Sequence, residues 1–156
     1  MKIVSACLVG INCKWNGKSK CLPKLVEEVK KGKLLPLCPE QLGGLPTPRP
    51  PCGIFGGTGK DVIAGKAKVI DHKGKIYTRK FLKGGREVLR IARDLGIKEA
   101  ILKRTSPCCG VGKVWRMTRK EEGYRNRLVD GDGVLTALLR KGGIKVSSEE
   151  NIPSEN

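Results

Sequence analysis

The chain is poor in aromatics, acids and histidine. Aromatic residues make up 4% of its 156 positions, so its core must be aliphatic. The one histidine, His72, falls in the turn-like stretch Asp71-His72-Lys73-Gly74, which argues against a Cys–His catalytic pair. No apolar run reaches the roughly 18 residues that a membrane-spanning helix needs. The opening Met1-Lys2-Ile3-Val4-Ser5 is too short and too strand-like for a signal peptide, so a cytoplasmic location is expected. No Cys-x-x-Cys pair occurs, which counts against a structural zinc knuckle. Gly56-Gly57-Thr58-Gly59-Lys60 lacks phosphate-loop spacing, and nucleotide hydrolysis is set aside.

Cysteine and positive charge are plentiful. There are seven cysteines, an odd number that cannot pair fully within one chain. In a reducing compartment such cysteines bind metal or do chemistry more often than they form disulfides. Lys and Arg number 32 against 15 Asp and Glu, a formal net charge of +17. A one-sided excess favours a polyanionic partner. The basic residues concentrate at Lys14, Lys18, Lys20 and Lys24, and again at Lys113, Arg116, Arg119, Lys120, Arg125 and Arg127. Trp115 and Tyr124 lie within the second group, a pairing that suits RNA with an unstacked base.

Hydrophobic patterning alternates short strands with helices. Strands are expected at 2–6, 34–37, 99–103 and 144–147, with a hairpin at 67–70 and 75–77. Helices are expected at 23–31, opened by Pro23, at 78–95 with Thr78 as N-cap, and at 133–141. Gly84-Gly85 weakens the long helix, each glycine costing about 1 kcal/mol against alanine. Residues 7–21 read as a loop, 38–51 as a long ordered loop and 114–128 as irregular. The expected fold is α/β: a single Rossmann-like three-layer domain with a mainly parallel sheet, spanning 1–150, followed by a polar tail at 151–156.

Three cysteines stand just past strands. Cys7 follows Lys2-Ile3-Val4-Ser5-Ala6, Cys38 follows Leu34-Leu35-Pro36-Leu37, and Cys109 lies a few residues past Ala100-Ile101-Leu102-Lys103. The carboxyl ends of parallel strands share one edge, where ligands bind. Three soft ligands without an obvious fourth describe a metal centre with an open position, either iron–sulfur or a three-cysteine zinc site. Cys13, Cys21 and Cys52 read as ordinary small hydrophobes, with Cys13 the first reserve ligand because it shares a loop with Cys7. Arg49 either contacts substrate or ties down its own loop through carbonyl groups, and Asp61 is read as holding that loop.

Ser5-Ala6-Cys7-Leu8-Val9-Gly10-Ile11-Asn12-Cys13, the block Cys38-Pro39-Glu40-Gln41-Leu42-Gly43-Gly44-Leu45-Pro46-Thr47-Pro48-Arg49-Pro50-Pro51, and Ser106-Pro107-Cys108-Cys109-Gly110 resemble a known family. So do Gly59-Lys60-Asp61-Val62, Ile101-Leu102-Lys103 and Gly131-Asp132-Gly133-Val134. It is the family once called domain of unknown function 523, which includes the thiouracil desulfurases. The resemblance implies a [4Fe-4S] cluster on Cys7, Cys38 and Cys109 with one iron open to the sulfur of a thiolated base. It also carries the family's acid and hydroxyl to Glu40 and Ser106. The chain departs from the family pattern at Cys108, commonly serine, which makes Cys108 a rival of Cys109, and over 115–129.

These readings converge on a non-redox desulfurase that turns C=S into C=O. Glu40 would move protons, Ser106 would orient water or a base edge, and Arg49 and Trp115 would contact substrate. The partner is a thiolated nucleobase or nucleoside, thiouracil or 4-thiouridine, within tRNA if the basic surface serves that end. The enzyme is expected to be a monomer or small homo-oligomer. The alternative is a non-catalytic RNA-binding module stapled by a structural metal site of three cysteines.

Overall fold

In a computed structural model, residues 1–152 are described. Among the described residues, eight strands form two four-stranded sheets. The first sheet, in the order β2-β1-β5-β8, is wholly parallel and joins Leu34–Leu37, Lys2–Ser5, Glu99–Leu102 and Lys145–Ser148. Both its faces are covered. Ile3 enters the main core, while the next residue, Val4, enters a smaller one with Leu25 of α1 (Pro23–Lys30). Period-2 alternation in a doubly buried strand leaves few polar positions, which is why β1 reads as a nearly continuous apolar run.

The main core also contains Phe81, Val88 and Ala92 of α4 (Thr78–Asp94), and Val134, Leu135 and Leu139 of α5 (Val134–Lys141). With α1 on the opposite face, this is the expected three-layer α/β unit. Phe81 is fully buried, a placement that contributes about 1.5–3 kcal/mol.

A second sheet adds to that plan. It joins Lys68–Asp71, Cys52–Phe55, Lys113–Arg119 and Tyr124–Asp130, in the order β4-β3-β6-β7. The stretch expected to be irregular is therefore a seven-pair antiparallel hairpin. Its turn is closed by Lys120 N–H donating to the Gly123 carbonyl (2.9 Å), with Gly123 at φ +78°. Charged residues at every third position of β6, Lys113, Arg116 and Arg119, fall on both faces and hid the strand pattern. The expected hairpin at 67–77 is present in short form: Ile70 bridges Ile76, Asp71 N–H donates to the Lys75 carbonyl (3.1 Å) and Tyr77 N–H to the Val69 carbonyl (2.8 Å), while the other edge of β4 pairs with β3.

Three local expectations change. Thr78 is the first residue of α4, not its cap, and its Oγ1 accepts from Val69 N–H (3.0 Å). Residues 6–9 form a 3-10 turn, and Pro39–Leu42 form a short helix, α2, within the expected loop. Asp61 does not hold the 38–51 loop. It caps α3 (Gly59–Ile63) by accepting from Thr58 N–H (2.8 Å).

The glycine pair in α4 has a packing purpose. A Cβ at Gly84 would overlap the Pro39 carbonyl, and one at Gly43 would overlap the Lys80 carbonyl. The backbones of α2 and α4 touch there, which sets the height of the segment carrying Cys38 and Glu40. Asn151 ends a 3-10 turn and Ile152 packs on the smaller core. The rest of the proposed tail, 153–156, lies outside the described residues.

Candidate functional site

The parallel sheet delivers its strand ends to one cavity of about 280 Å³. Cys7 arrives on the 3-10 turn after β1, Cys38 as the residue capping α2 after β2, and Cys109 in the turn after β5. All three line the cavity, as do Glu40, Ser106 and Trp115. Cys108 does not. It is fully buried in the main core, and the neighbouring Cys109 thiol together with burial pushes its own thiol up. The turn brings Cys109, and not Cys108, to the cavity wall.

Cys13 also reaches the cavity wall. Its S–H, placed to donate toward Cys38 or Cys7, is the largest influence on both of those thiols. It lowers Cys38 to about 7 against the cost of burial, helped by the Gln41 backbone N–H. It lowers Cys7 as well, against burial, and the positive charges of Lys103 and Lys14 add to that. Cys13 itself is held protonated by the same two neighbours. Cys52 lines the cavity too, but burial and then the Glu40 and Asp71 charges push it up to about 12. Cys21 is exposed at the surface.

Ser106 lies where its hydroxyl can only donate onward. Its Oγ accepts from both Cys108 N–H and Cys109 N–H at 3.0 Å. A hydroxyl has two lone pairs and one proton, so the proton is left for a group in the cavity. The same two bonds shape the turn that presents Cys109.

Glu40 faces the cavity from the first turn of α2. One carboxylate oxygen, Oε2, accepts from Arg49 Nη2 at 2.9 Å. Of the two readings of Arg49, substrate contact is corrected, and tying down its own loop through carbonyl groups is the one the structure matches. Its side chain is buried and does not line the cavity. Its guanidinium bonds Glu40, the Cys13 carbonyl (2.7 Å), the Pro46 carbonyl (3.2 Å) and Thr47 Oγ1 (3.0 Å). A charge this buried is tolerated because it is paired and hydrogen-bonded. It fixes Glu40 and the Cys13 loop with one group.

The opposite wall comes from the second sheet. Trp115 on β6 and Asn126 on β7 both line the cavity. Residues directly opposite in an antiparallel pair share a face. Trp115 pairs with Leu128 and Met117 with Asn126, whereas Arg116 pairs with Arg127 and Thr118 with Arg125. The hairpin therefore turns Trp115 and Asn126 inward and Arg116, Arg125 and Arg127 away. Asn126 Nδ2 donates to the Cys52 carbonyl (3.3 Å), while its buried Oδ1 has no partner.

The sequence reading missed Trp15, Asn126 and Lys103 as cavity residues and undervalued Cys13. Trp15 was discoverable, standing two positions past Cys13 in the Cys7 loop. Asn126 was not, because only the hairpin register brings it in.

The donor set fits an iron–sulfur cluster. Three separately delivered soft thiols, two of them biased toward thiolate, suit iron in a sulfide environment. Among the described residues, no three His, Cys, Asp or Glu side chains are gathered as ligands of a single metal ion. Single-ion zinc needs its thiolates about 2.3 Å from one centre, whereas a cubane spreads its ligands over separate irons.

Comparisons with known proteins agree. A solved structure described as a [4Fe-4S]-dependent thiouracil desulfidase, TudS (DUF523Vcz), superposes with a TM-score of 0.80 at 37% identity, covering 97% of this chain and 92% of that one. The uncharacterised protein YbbK of Bacillus subtilis (strain 168) is 38% identical over 152 residues, 97% of each chain. The family model for 2-thiouracil desulfurase matches residues 3–151, and the chain belongs to that family.

Proposed function

We propose that this protein is a [4Fe-4S]-dependent desulfidase that hydrolyses the C=S group of thiouracil to C=O with release of sulfide. The observation that carries the reading is the meeting of Cys7, Cys38 and Cys109 with Glu40 and Ser106 in one cavity. The three thiolates would hold the cluster. When bound, it supplies a thiophilic Lewis acid that draws sulfur from carbon without net electron transfer.

The chain's own residues account for the rest of the chemistry. Substrate enters between the thiols and the Trp115 wall. Glu40 takes a proton from the attacking water at Oε1, the oxygen that Arg49 leaves open, and returns it to the leaving side. Arg49 is a positioning residue. Ser106 donates its single proton to the ring's acceptor edge. Proton transfer of this kind contributes about 10²–10⁴-fold. Atoms balance as thiouracil plus water yielding uracil plus hydrogen sulfide. The test is anaerobic reconstitution with iron and sulfide, followed by assay of sulfide and uracil from 2-thiouracil. Brown, iron-loaded protein that releases neither overturns the reading.

A second substrate, 4-thiouridine in tRNA, rests on the net charge of +17 and on Lys14 at the cavity. Of the second basic group, Arg116, Arg125 and Arg127 lie on the face away from Trp115, which counts against it, while Lys113 and Arg119 share the Trp115 face. Filter binding of tRNA at two salt concentrations decides, since phosphate contacts make affinity fall steeply with salt. Thiolates and an oxygen-sensitive cluster suit the reducing cytoplasm.

A further inference from the structure

Tryptophan occurs twice in the chain, and both copies line the cavity that the thiols line. They come from unrelated elements, Trp15 from the loop after the first 3-10 turn and Trp115 from β6 of the second sheet. Neither belongs to a core cluster, and they remain 47% and 37% exposed. Isolated exposed apolar side chains need no explanation, but two large indoles converging on one cavity do.

Both indoles are carried on fixed backbone. The Trp15 carbonyl accepts from Arg49 N–H (2.8 Å), and the nearby Cys13 carbonyl accepts from Arg49 Nη2 (2.7 Å). The turn is closed by Lys14 N–H to the Lys18 carbonyl (3.1 Å) and Lys18 N–H to Asn16 Oδ1 (3.1 Å). Trp115 is held by the hairpin register opposite Leu128. Aromatic surface held this way binds a flat ring with little ordering cost.

We propose that Trp15 and Trp115 together form a stacking clamp that selects a planar aromatic thiocarbonyl ring, with Trp15 as a specificity residue equal to Trp115. The inference rests on the desulfidase reading. Stacking rewards a ring that is flat across its whole area. The clamp therefore discriminates 2-thiouracil from its 5,6-dihydro analogue, which carries the same thioamide on a puckered ring. Base stacking on an aromatic side chain is worth about a 5–150-fold change in affinity.

The test uses cluster-loaded protein. Trp15→Leu is expected to raise KM for 2-thiouracil about 5–150-fold with kcat little changed, and to shrink the preference over the dihydro analogue. Trp15→Phe restores both. Because the chain has only these two tryptophans, single-tryptophan forms made by Trp115→Phe and Trp15→Phe report each jaw by fluorescence. Titration with uracil, the unreactive product, is expected to quench each form saturably. Unchanged KM and preference in Trp15→Leu, or Trp15 emission indifferent to uracil that inhibits turnover, overturns the clamp. Wild-type protein that releases no sulfide while uracil still quenches both indoles overturns the desulfidase reading and leaves the clamp standing.

Discussion

Each proposed cluster ligand leaves the first sheet, whereas Trp115 and Asn126, on the wall facing them, belong to the second. The first sheet is parallel, covered on both faces, and brings distant cysteines to one edge by topology. The second is mostly antiparallel, open to water on part of its surface, and divides its residues by alternation. In the first, adjacency in sequence is a poor guide: Cys108 and Cys109 are neighbours with opposite environments. In the second, it is misleading in a regular way. Trp115 and Arg116 face opposite sides. In the proposed site the cluster ligands come from where strands end, while Trp115 and Asn126 enter by the side of a strand they occupy.

The largest expected effect tests the strand-end set. Cys7→Ser, Cys38→Ser and Cys109→Ser should each lose bound iron and sulfide release, while Cys108→Ser retains both; iron and sulfide analysis of anaerobic preparations checks this. Next, Glu40→Gln should lower kcat about 10²–10⁴-fold while the brown colour and iron content stay as in wild type. Turnover at the wild-type rate removes Glu40 from the mechanism.

Gly84→Ala sharpens the link between the helices and the first sheet. In an open helix that change stabilises by about 1 kcal/mol. Here the new Cβ meets the Pro39 carbonyl, so a loss of about 1–3 kcal/mol is expected. That lowers the melting temperature by several degrees for a domain of this size, and the sign alone is diagnostic. A scanning calorimetry trace showing stabilisation would falsify the close α2–α4 contact.

The smallest effect concerns the thiols without cluster. Cys38 sits near 7, below the ordinary thiol value of 9.0, chiefly because of Cys13. A depressed folded pKa contributes stability that is fully present above the unfolded value and lost as pH falls through the folded one. Apoprotein stability should therefore gain from Cys38 as pH rises from about 7 to 9 and lose that gain below 7. Alkylation of Cys38 by iodoacetamide should turn on near pH 7. Cys13→Ala should move that midpoint up toward the ordinary value, and an unmoved midpoint removes Cys13 from the account.

Much of the first sheet was legible because buried parallel strands and capped helices write short-range patterns. Pro23 opens α1 as expected, and β2 ends one residue before Cys38. The 3-10 turn at 6–9 and α2 at 39–42 were missed because each is a single turn without periodicity. The hairpin at 113–130 was missed because the charges of its first strand, at Lys113, Arg116 and Arg119, fall on both faces and break the period of two. Arg49 stayed between substrate contact and loop-tying because nothing local shows that the Cys13 carbonyl, 36 positions away, takes part of its guanidinium.

By itself the sequence determined the α/β class, the parallel strands with cysteines at their ends, and the soft chemistry of the donor set. These depend on residue type and on spacing within one element. Only the tertiary structure decided that Cys109 and not Cys108 faces the cavity, that Cys13 bridges two thiols, and that Trp15 and Trp115 line the same cavity. Those outcomes depend on side-chain direction and on contacts between elements far apart in the chain, which local propensity does not encode.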